Sequence, residues 1–336
     1  MTGRERIKTI VAGGTPDRVS FWIGNPHRDT VPIYLDAFGV STVEELRTLL
    51  NDDYRWCVPF TAYKHPEGKP MWDYGLAAFH SHGAEGRFAD VESVQEIEDA
   101  EWPDPNYLDL SETIDALRKA GDNYRASSFW CEFFHIAGWF FGMENYFMKM
   151  MTHPEVVHAL TRKVIDFLLE GNRRLYEQAG DLIDGAFFGN DFGTQLDLLV
   201  GPPQFREFIK PYYKELVDQA HSYDYQVILH CCGAVYKVIP DFVEIGVNAL
   251  HPLQAKAANM DADTLAREFR GQIAFIGGID TQDLLVNGTP DDIRADVRRV
   301  KSLLGPNLVV SPSHEALLPN VPPENVRAMS EATLDD

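Results

Sequence analysis

From Leu182 onward the chain alternates between two hydrophobic rhythms. Short runs of apolar and β-prone residues give way to longer segments whose apolar positions recur every three or four residues. The first rhythm belongs to a buried strand and the second to a helix with one apolar face. Strands are predicted over Leu182–Asn190, Gln226–His230, Ala249–Leu253, Ile273–Ile276 and Leu308–Val310. Each leads into a predicted helix: Pro203–Ser222, Val235–Ile245, Asp261–Phe269, Pro290–Leu304 and Pro323–Ala332. Pro290 stands at the first helical position, where its missing N–H costs nothing. Two more candidate strands, Val19–Ile23 and Ala126–Trp130, lie upstream. Strand-then-helix alternation indicates a parallel sheet. Five such units plus two further strands fit an eight-fold (β/α)8 TIM barrel better than an open sheet. Residues 1–120 are less regular and read as an N-terminal extension with the first barrel strand and long loops. No linker, low-complexity segment or short repeat divides the chain, so 1–336 is taken as one barrel domain.

The polar residues of this half collect where the predicted strands end. They are Gly189-Asn190-Asp191, His230-Cys231-Cys232, His251-Pro252-Leu253-Gln254, Gly277-Gly278-Ile279-Asp280 and Ser311-Pro312-Ser313-His314-Glu315. Barrel enzymes place their chemistry at the C-terminal ends of strands, so five polar ends in succession argue for one working face. Tyr225–Gly233 is the most informative of these segments. Side chains alternate along a strand, so His230 and Cys232 point the same way. Imidazole and thiolate are preferred zinc donors, and a strand end puts them at a mouth that substrates can enter. Cys231 points to the other face and reads as a core thiol, and Cys57 and Cys131 read as packing residues. Asp191 is either a turn residue or a substrate-facing carboxylate. Glu132 is either a fourth ligand or a carboxylate that orients a histidine. Glu315 reads as a surface or helix-entry residue. Gly277-Gly278 opens no dinucleotide fingerprint.

Composition narrows the picture further. The chain has 336 residues, 45% hydrophobic and 24% charged, enough for a large core. It holds no apolar stretch of about eighteen residues, so no membrane span is expected. Met1–Lys8 lacks the apolar core of a signal peptide. Four cysteines, two of them adjacent, do not form a secreted disulfide framework. A cytoplasmic protein is the expectation. The net charge of −21 repels phosphate backbones, which argues against nucleic acid, and disfavours polyanionic substrates unless local cations gather them.

In order along the chain, Asp52-Asp53, Trp102-Pro103-Asp104-Pro105, Glu132 through Gly142-Met143-Glu144, Asp191-Phe192-Gly193-Thr194-Gln195, His230-Cys231-Cys232-Gly233, Gly246-Val247-Asn248, Gly277-Gly278-Ile279-Asp280 and Pro322-Pro323-Glu324-Asn325-Val326 resemble the uroporphyrinogen decarboxylase superfamily. The resemblance covers nearly the whole chain and implies a (β/α)8 barrel. That superfamily holds cofactor-free porphyrinogen decarboxylases and zinc methyltransferases that work with a corrinoid protein. The decarboxylases carry an N-terminal arginine-rich motif for substrate carboxylates. The matching stretch here, Gly24-Asn25-Pro26-His27-Arg28, has one arginine, which counts against porphyrinogen. The His-x-Cys pair resembles the zinc ligands of the methyltransferases. Their third ligand is a cysteine from the last strand, and His314 stands in its place.

The resemblance therefore implies Zn²⁺ held by His230, Cys232 and His314. His314 is also read as a substrate hydrogen-bonder. His314, Asp191 and Asp53 are the candidate catalytic residues, and Glu132, Gln254, Asp280 and Arg28 the candidate substrate contacts. Asp52 and Asp53 resemble the decarboxylase aspartate, though two acids before Tyr54 equally end a helix or cap a turn. One thiolate and two imidazoles leave zinc near +1, which suits an oxygen leaving group. The expected reaction is methyl transfer from a small methoxy compound to a corrinoid on a partner protein, with thiol methylation as the nearest variant. The other readings are a metal-independent decarboxylase and a non-catalytic zinc- or corrinoid-binding protein. A homodimer is among the assemblies considered.

Overall fold

The computed structural model describes residues 1–75 and 85–335. Its strands are β1 (Ser20–Phe21), β2 (Tyr54–Trp56), β3 (Tyr124–Ala126), β4 (Gly185–Gly189), β5 (Gln226–His230), β6 (Ala249–Leu253), β7 (Ala274–Ile279) and β8 (Leu308–Pro312). The eight strands form one sheet in the order β1-β8-β7-β6-β5-β4-β3-β2, and every ladder is parallel. Helices follow the strands on the outside, which gives the (β/α)8 barrel expected. The seam between β1 and β2 carries no ladder. Asp53 N–H instead donates to the Phe21 carbonyl at 3.0 Å, and the buried Asp52 carboxylate accepts from Ile23 N–H at 3.1 Å and Tyr54 N–H at 2.8 Å.

The barrel interior is aromatic. Trp22, Tyr54, Tyr124 and Phe187 pack there with Ile228, Ala249, Ile276 and Val309. Burying one such ring contributes about 2–3 kcal/mol. Ile7, Ile10 and Val11 of the first helix, Gly3–Val11, complete this cluster from below. That helix starts in a capping box, with Thr2 and Glu5 each satisfying the other's backbone N–H. Its position is set by bonds to segments just ahead of strands: Arg4 N–H to the Asp122 carbonyl at 2.8 Å and Asn307 Nδ2 to the Ile10 carbonyl at 3.2 Å. The N-terminal end of the barrel is therefore plugged, and its chemistry belongs at the other end.

Several boundaries differ from the sequence reading, and two of the differences have a plain cause. β3 ends at Ala126 rather than running to Trp130. Beyond it the Ser127 hydroxyl bonds the Cys57 carbonyl and the Ser128 hydroxyl bonds the Phe187 carbonyl, so side chains supplement the two backbone bonds to β4, Ser127 N–H to Gly185 and Gly189 N–H to Trp130. The helix predicted over Pro203–Ser222 is two, Pro202–Phe208 and Lys210–Ser222. Pro211 cannot donate into the turn before it, so the helix restarts there. β2, three residues long, is too short to announce itself by periodicity. No helix among the described residues is long and apolar enough to cross a membrane.

Candidate metal centre at the barrel mouth

His230 ends β5 beside Gly189 of β4. A Cβ at position 189 would sit 2.4 Å from the His230 carbonyl oxygen, so glycine is what lets the two strand ends close up. Two residues on, Cys232 turns back to the same side, and its Sγ lies 3.3 Å from His230 Nε2. Asp191 Oδ1 is 3.4 Å from that same nitrogen and accepts the Cys232 N–H at 2.9 Å. The ligand atoms of Asp191, His230 and Cys232 lie within 4.8 Å of one another. Gly233 then takes φ +84°, packed so tightly on Gly193 that a Cβ would meet its carbonyl carbon at 2.5 Å. The other edge of the imidazole meets a second group. His230 Nδ1 is 3.0 Å from His251 Nδ1 and 3.8 Å from Glu315 Oε2. His230 thus belongs to two clusters, one through each ring nitrogen.

The charges around His230 favour a cation. Burial works against a charged His230, yet the Asp191 contact and the Glu315 and Asp191 charges raise its pKa. Burial also works against the Asp191 carboxylate, but His230 and the Cys232 N–H hold it well below the usual range. Burial pushes His251 well down, helped by His230 and His314, so this ring is neutral. Burial and the Asp191 and Glu315 charges push the Cys232 thiol far up. A thiolate there requires a cation, and a bound cation inverts the local balance. Glu315 Oε2 and His251 Nε2 are buried with no hydrogen-bond partner among the described residues. A nitrogen, sulfur and oxygen donor set with a spare buried carboxylate oxygen beside it fits zinc.

The sequence-predicted residues are only partly brought together. His230, Cys232 and Asp191 converge. His314 lies outside both ligand groups: its side chain is 40% exposed, and its Nδ1 accepts from Ala316 N–H at 3.1 Å. Glu315, read as a surface residue, is the one turned inward. Strand geometry ends at Pro312, so alternation no longer sets direction. A contact from another loop does, with the Glu315 carbonyl accepting Asn25 N–H at 2.8 Å. Gln254 joins the Cys232–Gly233 loop, its Oε1 accepting from Gly233 N–H and Gln195 Nε2, each at 3.0 Å. Glu132 opens the helix Phe133–Phe141 and lines a cavity of about 230 Å³ with Trp130, His135, Trp139, Asn190 and Asp191. Burial and the Asp191 charge push its pKa up to about 7.

Three expected site residues do other work. Asp53 precedes β2 and so sits at the plugged end, where it accepts from Arg6 Nη1 at 2.8 Å and Ser20 Oγ at 2.7 Å. Asp280 is 4% exposed and accepts the N–H groups of Gln282, Asp283 and Leu284 at 3.0, 3.2 and 3.1 Å. The Arg28 side chain is 88% exposed, with Asp29 at 3.7 Å as its ion partner. Strand-end polarity alone does not single out His251 as a site residue. Its signal is register: β5 and β6 pair His230 with His251, which gives both side chains the same direction.

The family model for uroporphyrinogen decarboxylase (URO-D) matches residues 82–335, and the chain belongs to that family. Over 157 residues it is 26% identical to the methylcobamide:CoM methyltransferase MtbA of Methanosarcina mazei, covering 47% of this chain and 43% of that protein. Over 211 residues it is 26% identical to a methylated-thiol–coenzyme M methyltransferase of the same organism, covering 58% and 52%. The chain thus spans about half the length of these curated relatives. A solved methyltransferase from Methanosarcina mazei has the same fold, with TM-score 0.72 at 16% identity over 99% of this chain and 98% of that one.

Proposed function

We propose that this chain moves a methyl group between a corrinoid on a partner protein and a small thiol, at a zinc held by His230, Cys232 and Asp191. The observation that supports it is the convergence of His230 Nε2, Cys232 Sγ and Asp191 Oδ1 at the open end of a barrel of this family. The names of the two curated relatives point the same way, since one acts with methylcobamide and the other on methylated thiols. Zinc, when bound, supplies a Lewis acid that favours the thiolate form of a thiol substrate. His230 would offer its Nε2 lone pair with its Nδ1–H donated to His251 Nδ1, 3.0 Å away. Asp191 changes the charge count. One thiolate with one carboxylate balances a divalent metal, whereas the sequence-derived set with His314 leaves it near +1. A neutral centre suits a nucleophilic thiolate better than an oxygen leaving group. Thiol methylation therefore stands first, and methoxy demethylation second. Metal-free decarboxylation loses support, because Asp52 and Asp53 are committed to the barrel seam and Arg28 to solvent.

In the transfer, the carbon–cobalt bond of methylcob(III)alamin breaks with its electron pair left on cobalt. The sulfur–carbon bond forms, and the thiol proton goes to solvent. The test is to incubate zinc-loaded protein with methylcob(III)alamin and a small thiol under anoxic conditions and follow the absorbance of cob(I)alamin. Turnover that depends on zinc supports the reading. Protein that binds no zinc and transfers no methyl group removes it.

A further inference from the structure

Between β2 and the helix Ser111–Lys119 the chain makes a long excursion that the proposed chemistry leaves unused, although Trp102-Pro103-Asp104-Pro105 lies in it. Its described residues pack on the helix Phe133–Phe141, with Trp102 against Phe140 and Phe88 N–H bonded to the Phe140 carbonyl. A cavity of about 440 Å³ lies between them. Two aromatic groups line it. Tyr63, His65 and Tyr107 meet one another, with the His65 and Tyr107 centroids 4.7 Å apart. Trp72 and Trp102 both meet Phe140, at 6.4 and 5.4 Å. Buried Phe167 joins the two groups, 6.2 Å from Tyr63 and 5.2 Å from Trp72. We infer that this cavity is a binding site for a small organic ammonium ion, held by these rings and by the Asp104 carboxylate.

Charge selects the ligand. Asp73, Glu101 and Asp104 line the cavity against Lys69 and Arg87. Both cations are already paired, Lys69 Nζ with Glu101 at 2.8 Å and Arg87 Nη1 with Asp73 at 3.2 Å. Asp104 has no ion partner among the described residues, and its Oδ1 accepts the Asn106 N–H at 2.8 Å. The wall therefore carries a negative charge in excess, beside rings whose π-faces are negative too. Such a wall repels phosphates and carboxylates, and the net charge of −21 adds to that. The Trp102 indole N–H is committed to the Ile97 carbonyl at 2.9 Å, so that ring offers a ligand its π-system. The fold already seats a cation on the same rings: the Arg87 guanidinium lies 5.4 Å from the Phe88 centroid, and Phe88 stacks on Phe140 at 5.3 Å. Among the described residues no group of three metal donors converges here, so an alkylated ammonium suits the cavity better than a metal ion. The site is separate from the candidate metal centre. Phe140 lines it, whereas His135 and Trp139 of the same helix line the cavity beside Asp191, and the two cavities share no residue.

Choline and its neutral isostere 3,3-dimethylbutan-1-ol are the probes, because they differ in charge and hardly in shape. Their binding to the full chain is measured by calorimetry in wild type, Asp104→Asn, Trp102→Leu and Glu132→Gln, and neither probe requires methyl transfer. Wild type is expected to bind choline about tenfold more tightly than the alcohol, the size of a cation–π contact. Asp104→Asn keeps an acceptor for the Asn106 N–H, so it reports on charge even if Trp102→Leu does not fold. It should weaken choline several-fold and leave the alcohol unchanged. Trp102→Leu should weaken both probes. Glu132→Gln, in the other cavity that sets carboxylates beside tryptophans, should change neither. Absence of choline binding, equal binding of the two probes by wild type, an unchanged choline Kd in Asp104→Asn, or loss of choline binding in Glu132→Gln overturns the inference.

Discussion

His230 and His251 meet across β5 and β6 with their Nδ1 atoms 3.0 Å apart. One of the two nitrogens must carry the proton. Burial holds His251 neutral, and a neutral His251 can accept the His230 Nδ1–H at its own Nδ1. That pairing would leave the His230 Nε2 lone pair for a metal bound beside Cys232 and Asp191. A strand-to-strand contact would in this way fix the tautomer of the proposed zinc ligand.

This relationship predicts that His251→Ala weakens zinc binding by about 10- to 100-fold, the usual loss for a residue that orients a ligand histidine. Competition with a chromophoric chelator would measure it. Unchanged affinity would show that His230 needs no such partner.

The ligand set is separable from the sequence-derived one. Wild type should hold about one zinc per chain, as a single site requires. Cys232→Ser should lose most of it with the fold intact. His314→Ala should keep it, because that imidazole lies outside both ligand groups. Elemental analysis of the three proteins decides the matter, and zinc lost in His314→Ala would restore the set His230, Cys232 and His314.

Asp53 should matter to stability and not to turnover. It is buried against Arg6 at the plugged end of the barrel. Asp53→Asn leaves that guanidinium short of its partner, at a cost of about 3 kcal/mol. Urea unfolding should show the loss while kcat of the folded fraction stays the same. A selective fall in kcat would return Asp53 to the catalytic residues.

A pH-dependent contribution is expected at Asp241, whose side chain is 4% exposed between Arg206 at 3.0 Å and Lys210 at 2.8 Å. Burial opposes its ionisation, but the two cations hold its pKa below the usual carboxylate value. The folded form therefore releases this proton more readily than the unfolded chain. Stability from Asp241 is complete above about pH 5 and is lost as pH falls through the folded value. Asp241→Asn should cost about 1–3 kcal/mol at pH 7, with a smaller deficit at pH 4. A deficit independent of pH would mean that shape, not charge, is what the position supplies.

Much of the barrel was legible in the sequence because its signals are local. β5 and β6 occupy the predicted residues, as does the helix Pro290–Leu304, which Thr289 and Asp292 cap reciprocally. Strand alternation predicts His230 and Cys232 on one side, and the two do meet, although β5 ends at His230 and the turn after it returns Cys232 to that side. Beyond the strand ends that rule has no hold. Glu315 rather than His314 faces the centre because a loop carrying Asn25 pins the chain there. His251 enters because parallel register sets it beside His230. Asp53 leaves because closing β1 against β2 puts it at the wrong end of the barrel. The sequence determined which elements form and which donors one strand can present. Only the tertiary structure decided which donors from different strands meet, because that depends on register and loop contacts between residues far apart in the chain.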